Sequence, residues 1–287
     1  MKTNKFLICT ALSMACLISK SQTNEKWTEW SDRVHGGFGI CLLSGGSRHG
    51  EQNFSLYGVS AALVTLAAIS VLTLVLPNYT TTTLGPYYSD SQLMFIAIVS
   101  LVLYGTFLMI QTTKHRDYFL PSDSASNEAV HAAPPSQKTT IISAFFLLAC
   151  LVAVVLSAKL LSQPLERLVT QLGAPTTLVG IIIAAVVLLP EGIAAYHAAR
   201  ANRLQTSLNL ALGSALASIG LTIPAVALVS LITGWSLTLG IDAKSTVLLL
   251  LSLLVTSLSL GTGRTTVMQG TVHLVIFAVY LFTAIVP

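Results

Sequence analysis

Long apolar runs separated by short polar stretches dominate the chain: Tyr57–Leu76, Gln92–Ile110, Ile141–Leu156, Thr177–Ala199, Ser207–Leu231, Val247–Leu260 and Val267–Val286. Apolar and polar positions do not alternate within them, so the pattern predicts helices and not the strands of a barrel. Each run, with its flanks, is long enough to cross about 30 Å of hydrocarbon, and a helix satisfies every backbone group that lipid cannot. A shorter piece, Gly36–Gly46, is only half a span. Upstream, Lys2 and Lys5 precede the apolar stretch Phe6–Ser19, which resembles a signal-peptide core. Ser21–His35 carries Glu25, Lys26, Glu29, Asp32 and Arg33, so it does not cross a bilayer. Trp27, Trp30, Val34 and Phe38 recur there at helical spacing, suited to an interfacial turn or two.

Composition makes the membrane assignment firm. Of 287 residues, 53% are hydrophobic and 9% are charged, against about 25% charged in a soluble domain. A water-soluble enzyme, a coiled coil, a nucleic-acid reader and a disordered tail are excluded, because none keeps so much apolar surface from water. The net charge of +4 therefore reports membrane sidedness and not an anionic partner. With the Gln111–Thr140 loop cytoplasmic, Lys114, Arg116, Lys138, Arg48, Arg200, Arg203 and Arg264 fall on one side and Lys159, Arg167 and Lys244 on the other. The C-terminus is then external. Cys9, Cys16, Cys41 and Cys150 are scattered without CxxC spacing, which argues against a zinc site or a disulfide framework. Asn78-Tyr79-Thr80 matches a glycosylation sequon by pattern alone.

The expected fold is an all-α, polytopic helical bundle of about seven full transmembrane helices plus a partial one. Its divisions are an atypical segment 1–35, a first membrane part 36–110, a Ser-, Ala- and Pro-rich cytoplasmic linker 111–140 and a second membrane half 141–287. His115, Asp117, Asp123, Glu128 and His131 in the linker allow either a solvated mixed-charge loop or a metal-sensing one.

The chemistry concentrates at Pro190-Glu191-Gly192. Arg200 marks a helix end, and nine residues at ~1.5 Å each set Glu191 about 13 Å inside, near the midplane. An ionisable residue at that depth marks a functional site. Pro190 lacks a backbone donor and frees a carbonyl, while Gly192 permits close backbone approach. A carboxylate beside loosened carbonyls suits a hard cation or a proton. On the next helix Asn209, Ser214, Ser218 and Thr222 supply oxygens while Gly213, Ala217 and Gly220 keep it thin. Ser214, Ser218 and Thr222 share one face, which serves ligation and helix packing equally. Pro224 is expected to kink that helix. Glu191 is the only carboxylate inside the seven runs. Gln269 and His273 lie in the last run, where His273 suits a proton relay or a packed hydrogen-bonding group.

Leu189-Pro190-Glu191-Gly192, with Asn202-Arg203-Leu204-Gln205 and the stretch from Asn209 to Ser218, resembles the bacterial calcium/proton and sodium/proton antiporters of the calcium/cation antiporter superfamily. Gly261-Thr262-Gly263-Arg264-Thr265-Thr266 with Gly270 and His273, Leu42-Leu43-Ser44-Gly45-Gly46 with Leu76-Pro77, and Tyr104-Gly105 with Gln111-Thr112 extend the resemblance from about Gly36 to Pro287. It implies an inverted repeat of two alpha-repeat hairpins, each giving an acidic residue to one central cation site. Glu191 matches the second repeat's acid, and Asn209 and Ser218 match polar positions of the helix that follows. The first repeat's acidic helix has no counterpart here, Gly36–Gly46 resembles the tail of that repeat's second helix, and 1–35 resembles nothing in the family. The repeat is thus expected to be incomplete and the usual N-terminal part lacking.

The implied function is secondary active exchange of Ca2+, or of Na+ or K+, for H+, with no organic cofactor, in a bacterial inner membrane. The expected metal ligands are Glu191, Asn209, Ser214 and Ser218, with Pro190, Gly192 and Gly213 shaping the hairpin. The partners are inorganic cations, protons and the bilayer, with no nucleic acid, and the oligomeric state stays open. Two other readings remain: a shortened chain that does not transport, and an intramembrane serine protease using Ser214 with His273 as base.

Overall fold

The structure, a computed structural model, describes residues 36–83, 85–114, 116–119, 177–234 and 236–286, with scattered positions between 138 and 171. Its α-helices are α1 Phe38–His49, α2 Leu56–Ser70, α3 Asp90–Met109, α4 Thr177–Arg200, α5 Leu204–Thr233, α6 Ala243–Leu260 and α7 Val267–Ile285. Two-residue strands, β1 Gln52–Asn53 and β2 Arg264–Thr265, follow α1 and precede α7. Wider π-type turns prolong α2 through Val71–Val75 and α3 through Ile110–Lys114, and tight turns follow at Leu76–Tyr79 and Arg116–Phe119.

Among the described residues five helical segments are long and apolar enough to span a membrane: Leu56–Tyr79, Asp90–Thr112, Leu204–Thr233, Ala243–Leu260 and Val267–Ala284. Helix α4, at 24 residues, carries Glu191 in its interior and Arg200 at its end. The short α1 is the expected half-span, prolonged to His49. The expected run Ile141–Leu156, the segment 1–35 and most of the linker lie outside the described residues, so the count of about seven full spans is reached only in part. Helix α5 runs continuously for 30 residues with Pro224 inside it.

Local chemistry sets the helix ends. The Ser89 side chain accepts from Gln92 N while Gln92 Oε1 accepts from Ser89 N, a capping box that starts α3. Thr266 and Gln269 repeat the device at α7. The Asp242 carboxylate accepts from Ser245 N at the head of α6. Between α4 and α5 the chain reverses through Asn202, at φ 57°, while Arg203 N and Asn202 N donate to Ala198 O and Ala199 O.

Helix α5 is the axis of the bundle. Its Leu208, Leu212 and Leu216 are fully buried with Leu66 and Ile69 of α2 and Leu249 of α6. Helices α1 and α7 approach through glycine: a Cβ on Gly39 would stand 2.9 Å from Leu274 Cγ, one on Gly46 2.9 Å from Val267 N, and one on Gly270 2.5 Å from Leu43 N. Such backbone proximity is how helices associate where lipid removes any hydrophobic drive. Phe95, Ile98 and Val102 of α3, Leu254 and Leu258 of α6 and Phe282 of α7 face outward, an apolar belt suited to acyl chains.

The two ends of the bundle are tied differently. At one, β1 pairs antiparallel with β2, Gln52 opposite Thr265. There His49 Nε2 donates to Arg200 O (2.9 Å), and Gln52 Nε2 donates to Ala199 O and Asn202 Oδ1, each at 2.9 Å. Arg48, Arg200, Arg203 and Arg264 gather at this end, as the sidedness expectation requires. At the other, Leu239 N donates to Pro86 O, Ile241 N to Leu74 O and Lys244 Nζ to Thr283 O. Asn78 Nδ2 donates to Ile241 O there, so the sequon asparagine has a structural task.

Candidate functional site

Proline 190 sits inside a continuous helix, where its ring nitrogen gives nothing to the carbonyl of Val186 one turn back. Glu191 follows, half-buried, nine residues before the Arg200 end of α4. Its side chain lines a cavity of about 510 Å3 bounded by α4, α5, α1 and α7. Ser214 of α5 lines the same cavity, so the structure brings these two expected ligands together across the hairpin. Ala211, Ile40 and Phe277 contribute further wall, which is almost wholly apolar. Among the described residues, a Cβ on Gly192 would meet no atom within 4 Å.

The remaining expected residues are placed elsewhere along α5. Ser218 is buried one turn beyond Ser214, and Gly213 is buried beside it. Neither is part of the cavity lining. Thr222 is fully buried a further turn on. Asn209 lies toward the arginine end, where its Oδ1 accepts from Gln205 Nε2 (3.0 Å) and its Nδ2 donates to Phe119 O (2.6 Å). Gln205 Oε1 in turn accepts from Ser55 N at 2.7 Å. Asn209 thus ties α5 to the start of the linker and to the head of α2, with lone-pair capacity on Oδ1 left for a ligand. His273 is fully buried and stands edge-on to Phe38, ring centroids 5.0 Å apart. It does not line the cavity that holds Ser214, so the two residues of the protease reading do not share it. Among the described residues no three His, Cys, Asp or Glu side chains group as a metal cluster.

Asn202 and Gln205 stand in the stretch that carries the family resemblance, but the hydrogen bonds made by Gln52, Asn202 and Gln205 were not foreseen. Only the Gln205–Asn209 spacing of four carried a signal, because those two side chains meet on one helix face. The partners of Gln52 lie some 150 positions away, and no local pattern announces them.

The α4–α5 hairpin thus carries a carboxylate beside proline on its first helix and hydroxyls with small residues on its second. Comparison with known proteins gives the family. Residues 142–286 match the family described as sodium/calcium exchanger protein. The y4hA protein of Sinorhizobium fredii, named for ionic transport, is 49% identical over 255 residues, spanning 88% of this chain and 69% of that protein. The sodium-potassium/proton antiporter ChaA of Escherichia coli is 34% identical over 253 residues, spanning 87% and 68%. Among solved structures, the Ca2+/H+ antiporter protein YfkE superposes with TM-score 0.73 at 15% identity, over 98% of this chain and 82% of that one. The H+/Ca2+ exchanger CAX does so with TM-score 0.69 at 14% identity, over 98% and 70%. These two likenesses concern the fold, whereas the family profile and the two bacterial relatives settle descent: the chain belongs to the sodium/calcium exchanger family.

Proposed function

We propose that this chain is a cation/proton antiporter subunit of the bacterial inner membrane, exchanging Ca2+, or Na+ or K+, for H+ at Glu191. The observation that carries the reading is that Glu191 of α4 and Ser214 of α5 line one cavity. A proton and a metal cation compete for one carboxylate, so binding either expels the other. A conformational change that alternates access to the site then moves them in opposite directions. Ser214, Ser218 and Asn209 add oxygens around the ion, and Pro190, Gly192 and Gly213 give the hairpin its shape. The names of the relatives support both kinds of cargo, sodium and potassium in one and calcium in others.

One observation favours the reading in which this chain does not transport unaided. A hard divalent cation takes six or more oxygens, usually from more than one carboxylate, and the seven apolar runs hold Glu191 alone. Purified chain in liposomes, with an inward proton gradient and external or internal 45Ca2+, 22Na+ or 86Rb+, separates the two. Proton-coupled flux lost in Glu191→Gln supports exchange. Absence of flux of all three ions from correctly inserted chain supports the non-transporting product.

A further inference from the structure

We propose that the Gln52 side chain is a gate on the arginine side of the cavity lined by Glu191 and Ser214. Closed, it locks α1 against the α4–α5 hairpin, and its withdrawal opens the cavity to water on that side. The proposal rests on the reading of that cavity as the cation site and adds to it the residue that controls access from one side.

Small and polar residues lead in order from the surface to the cavity. Outermost, Gln52 Nε2 donates to Ala199 O and to Asn202 Oδ1, each at 2.9 Å. Next, Cys41 of α1 packs with Ala195 and Ala199 of α4, and its thiol reaches the Ser207 hydroxyl of α5. Ala195 itself lines the cavity, so a single helical turn separates the cavity wall from the carbonyl that Gln52 holds. Ser207, Ala211 and Ser214 share one face of α5, and the last two line the cavity as well. Gln52, Cys41, Ala199 and Ser207 are each no more than 1% exposed, so this way in is shut.

The contact that shuts it is built for release. Gln52 Oε1 is buried without a hydrogen-bond partner among the described residues, and it lies where a side chain on Gly45 would stand. A buried acceptor without a donor forfeits its hydration, and that loss is recovered once water enters. Two hydrogen bonds therefore hold the closed state while one unmade bond opposes it. Withdrawal strands no other buried group: Ala199 O keeps the N–H of Asn202, at 3.1 Å, and Asn202 is exposed, so its Oδ1 turns to water. The companion contact between His49 Nε2 and Arg200 O lies at the exposed surface, where water replaces it. Helix α1 stays joined to α7 through its glycine contacts and the β1–β2 pair. A small separation of α1 from α4 and α5 then suffices, because Cys, Ser and Ala side chains fill so little of the passage.

The test uses the purified full chain in lipid nanodiscs with Cys9, Cys16 and Cys150 replaced by serine, so that Cys41 reports on the passage. The probe is a small cationic methanethiosulfonate. Gln52→Ala should raise the rate of Cys41 modification about tenfold, the factor that the loss of one or two net hydrogen bonds supplies. Gly45→Ala keeps the amide in the chain but occupies its place, and should raise the rate similarly. As a control for general loosening, Ala227→Cys, buried on α5 about 30 Å beyond Ser207, is introduced into a chain without the native cysteines. Its modification should be no faster with Gln52→Ala than without. Saturating Ca2+, Na+ or K+, whichever the chain carries, should change the Cys41 rate in the parent and leave it unmoved in Gln52→Ala. An unchanged Cys41 rate in both Gln52→Ala and Gly45→Ala overturns the proposal, as does equal acceleration at Ala227→Cys. A carried ion that leaves the parent rate unmoved overturns it too. Flux is read separately, so flux without Gln52 control of Cys41 refutes the gate alone, and Gln52 control without flux refutes only the transport reading.

Discussion

Along α5, the flank turned to α3 is filled to contact: a Cβ on Gly220 would stand 2.9 Å from Cβ and Cγ of Tyr104. The flank turned to α4 keeps Ala211 and Ser214 on an open cavity, and a Cβ on Gly192, which lines the same cavity, would meet no described atom within 4 Å. Small residues line both sides, yet on one they bring backbones together and on the other they preserve space. A stripe of Gly, Ala and Ser on a membrane helix is therefore ambiguous until its neighbour is known. What separates the flanks is chemistry as well as room, since the open one faces Glu191.

Substitution at the two glycines should produce the largest contrast. Gly220→Leu drives a side chain into Tyr104 and should abolish monodisperse, folded chain in size-exclusion chromatography, as overpacking costs about 1–3 kcal/mol or more. Gly192→Leu should leave thermal unfolding within a few degrees of the parent. Comparable folding losses in both would erase the distinction. Next, Glu191→Gln should reduce proton-coupled cation flux to background while melting as the parent does, and normal flux in that variant would remove Glu191 from the site. Asn209→Ala cuts the tie between α5 and Phe119 and should destabilise by about 1–2 kcal/mol, read as a lowered Tm. Unchanged Tm with weakened ion dependence would assign Asn209 to the ion alone. Smaller again, Ser214→Ala and Ser218→Ala should weaken cation affinity by a few fold at unchanged yield, with Ser214 the more affected because it lines the cavity.

A last prediction lies away from both flanks. Burial pushes the Tyr88 phenol up to about 12, and its hydroxyl donates to Leu72 O at 2.6 Å. The neutral phenol is the form the fold favours. Its stabilisation is thus complete below the ordinary phenol pKa of about 10 and is lost as pH rises toward 12. Tyr88→Phe should lose about 0.5–1.5 kcal/mol at neutral pH and lack this alkaline component in a melting series.

The helices were legible because burial in lipid selects long apolar runs, and the predicted Thr177–Ala199 and Val267–Val286 match α4 and α7 to within a residue or so at each end. Other starts were trimmed. The apolar runs begin at Val247 and Ser207, whereas Asp242 caps α6 and α5 opens at Leu204. Helix ends reaching water are polar by necessity, so hydrophobicity alone cuts them short, although Ser89 with Gln92 and Thr266 with Gln269 had the capping spacing in plain view. At the site, Glu191 announced itself by the improbability of a carboxylate in such a run. The cavity did not, because it arises from where α1 and α7 sit relative to α4. The role of Asn209 was equally hidden, since its partner is a backbone carbonyl in a turn 90 positions away.

The pairing of Gln52 with Thr265 also bears on how the chain is made. Its two strands belong to the first and last connections of the described bundle, so a ribosome delivers one long before the other. Helix α1, 12 residues long, reaches only about 18 Å, and its glycine-lined contact is with α7. The clasp therefore closes only when both strands are present, and the glycine-lined face of α1 is covered only once α7 has followed it into the bundle.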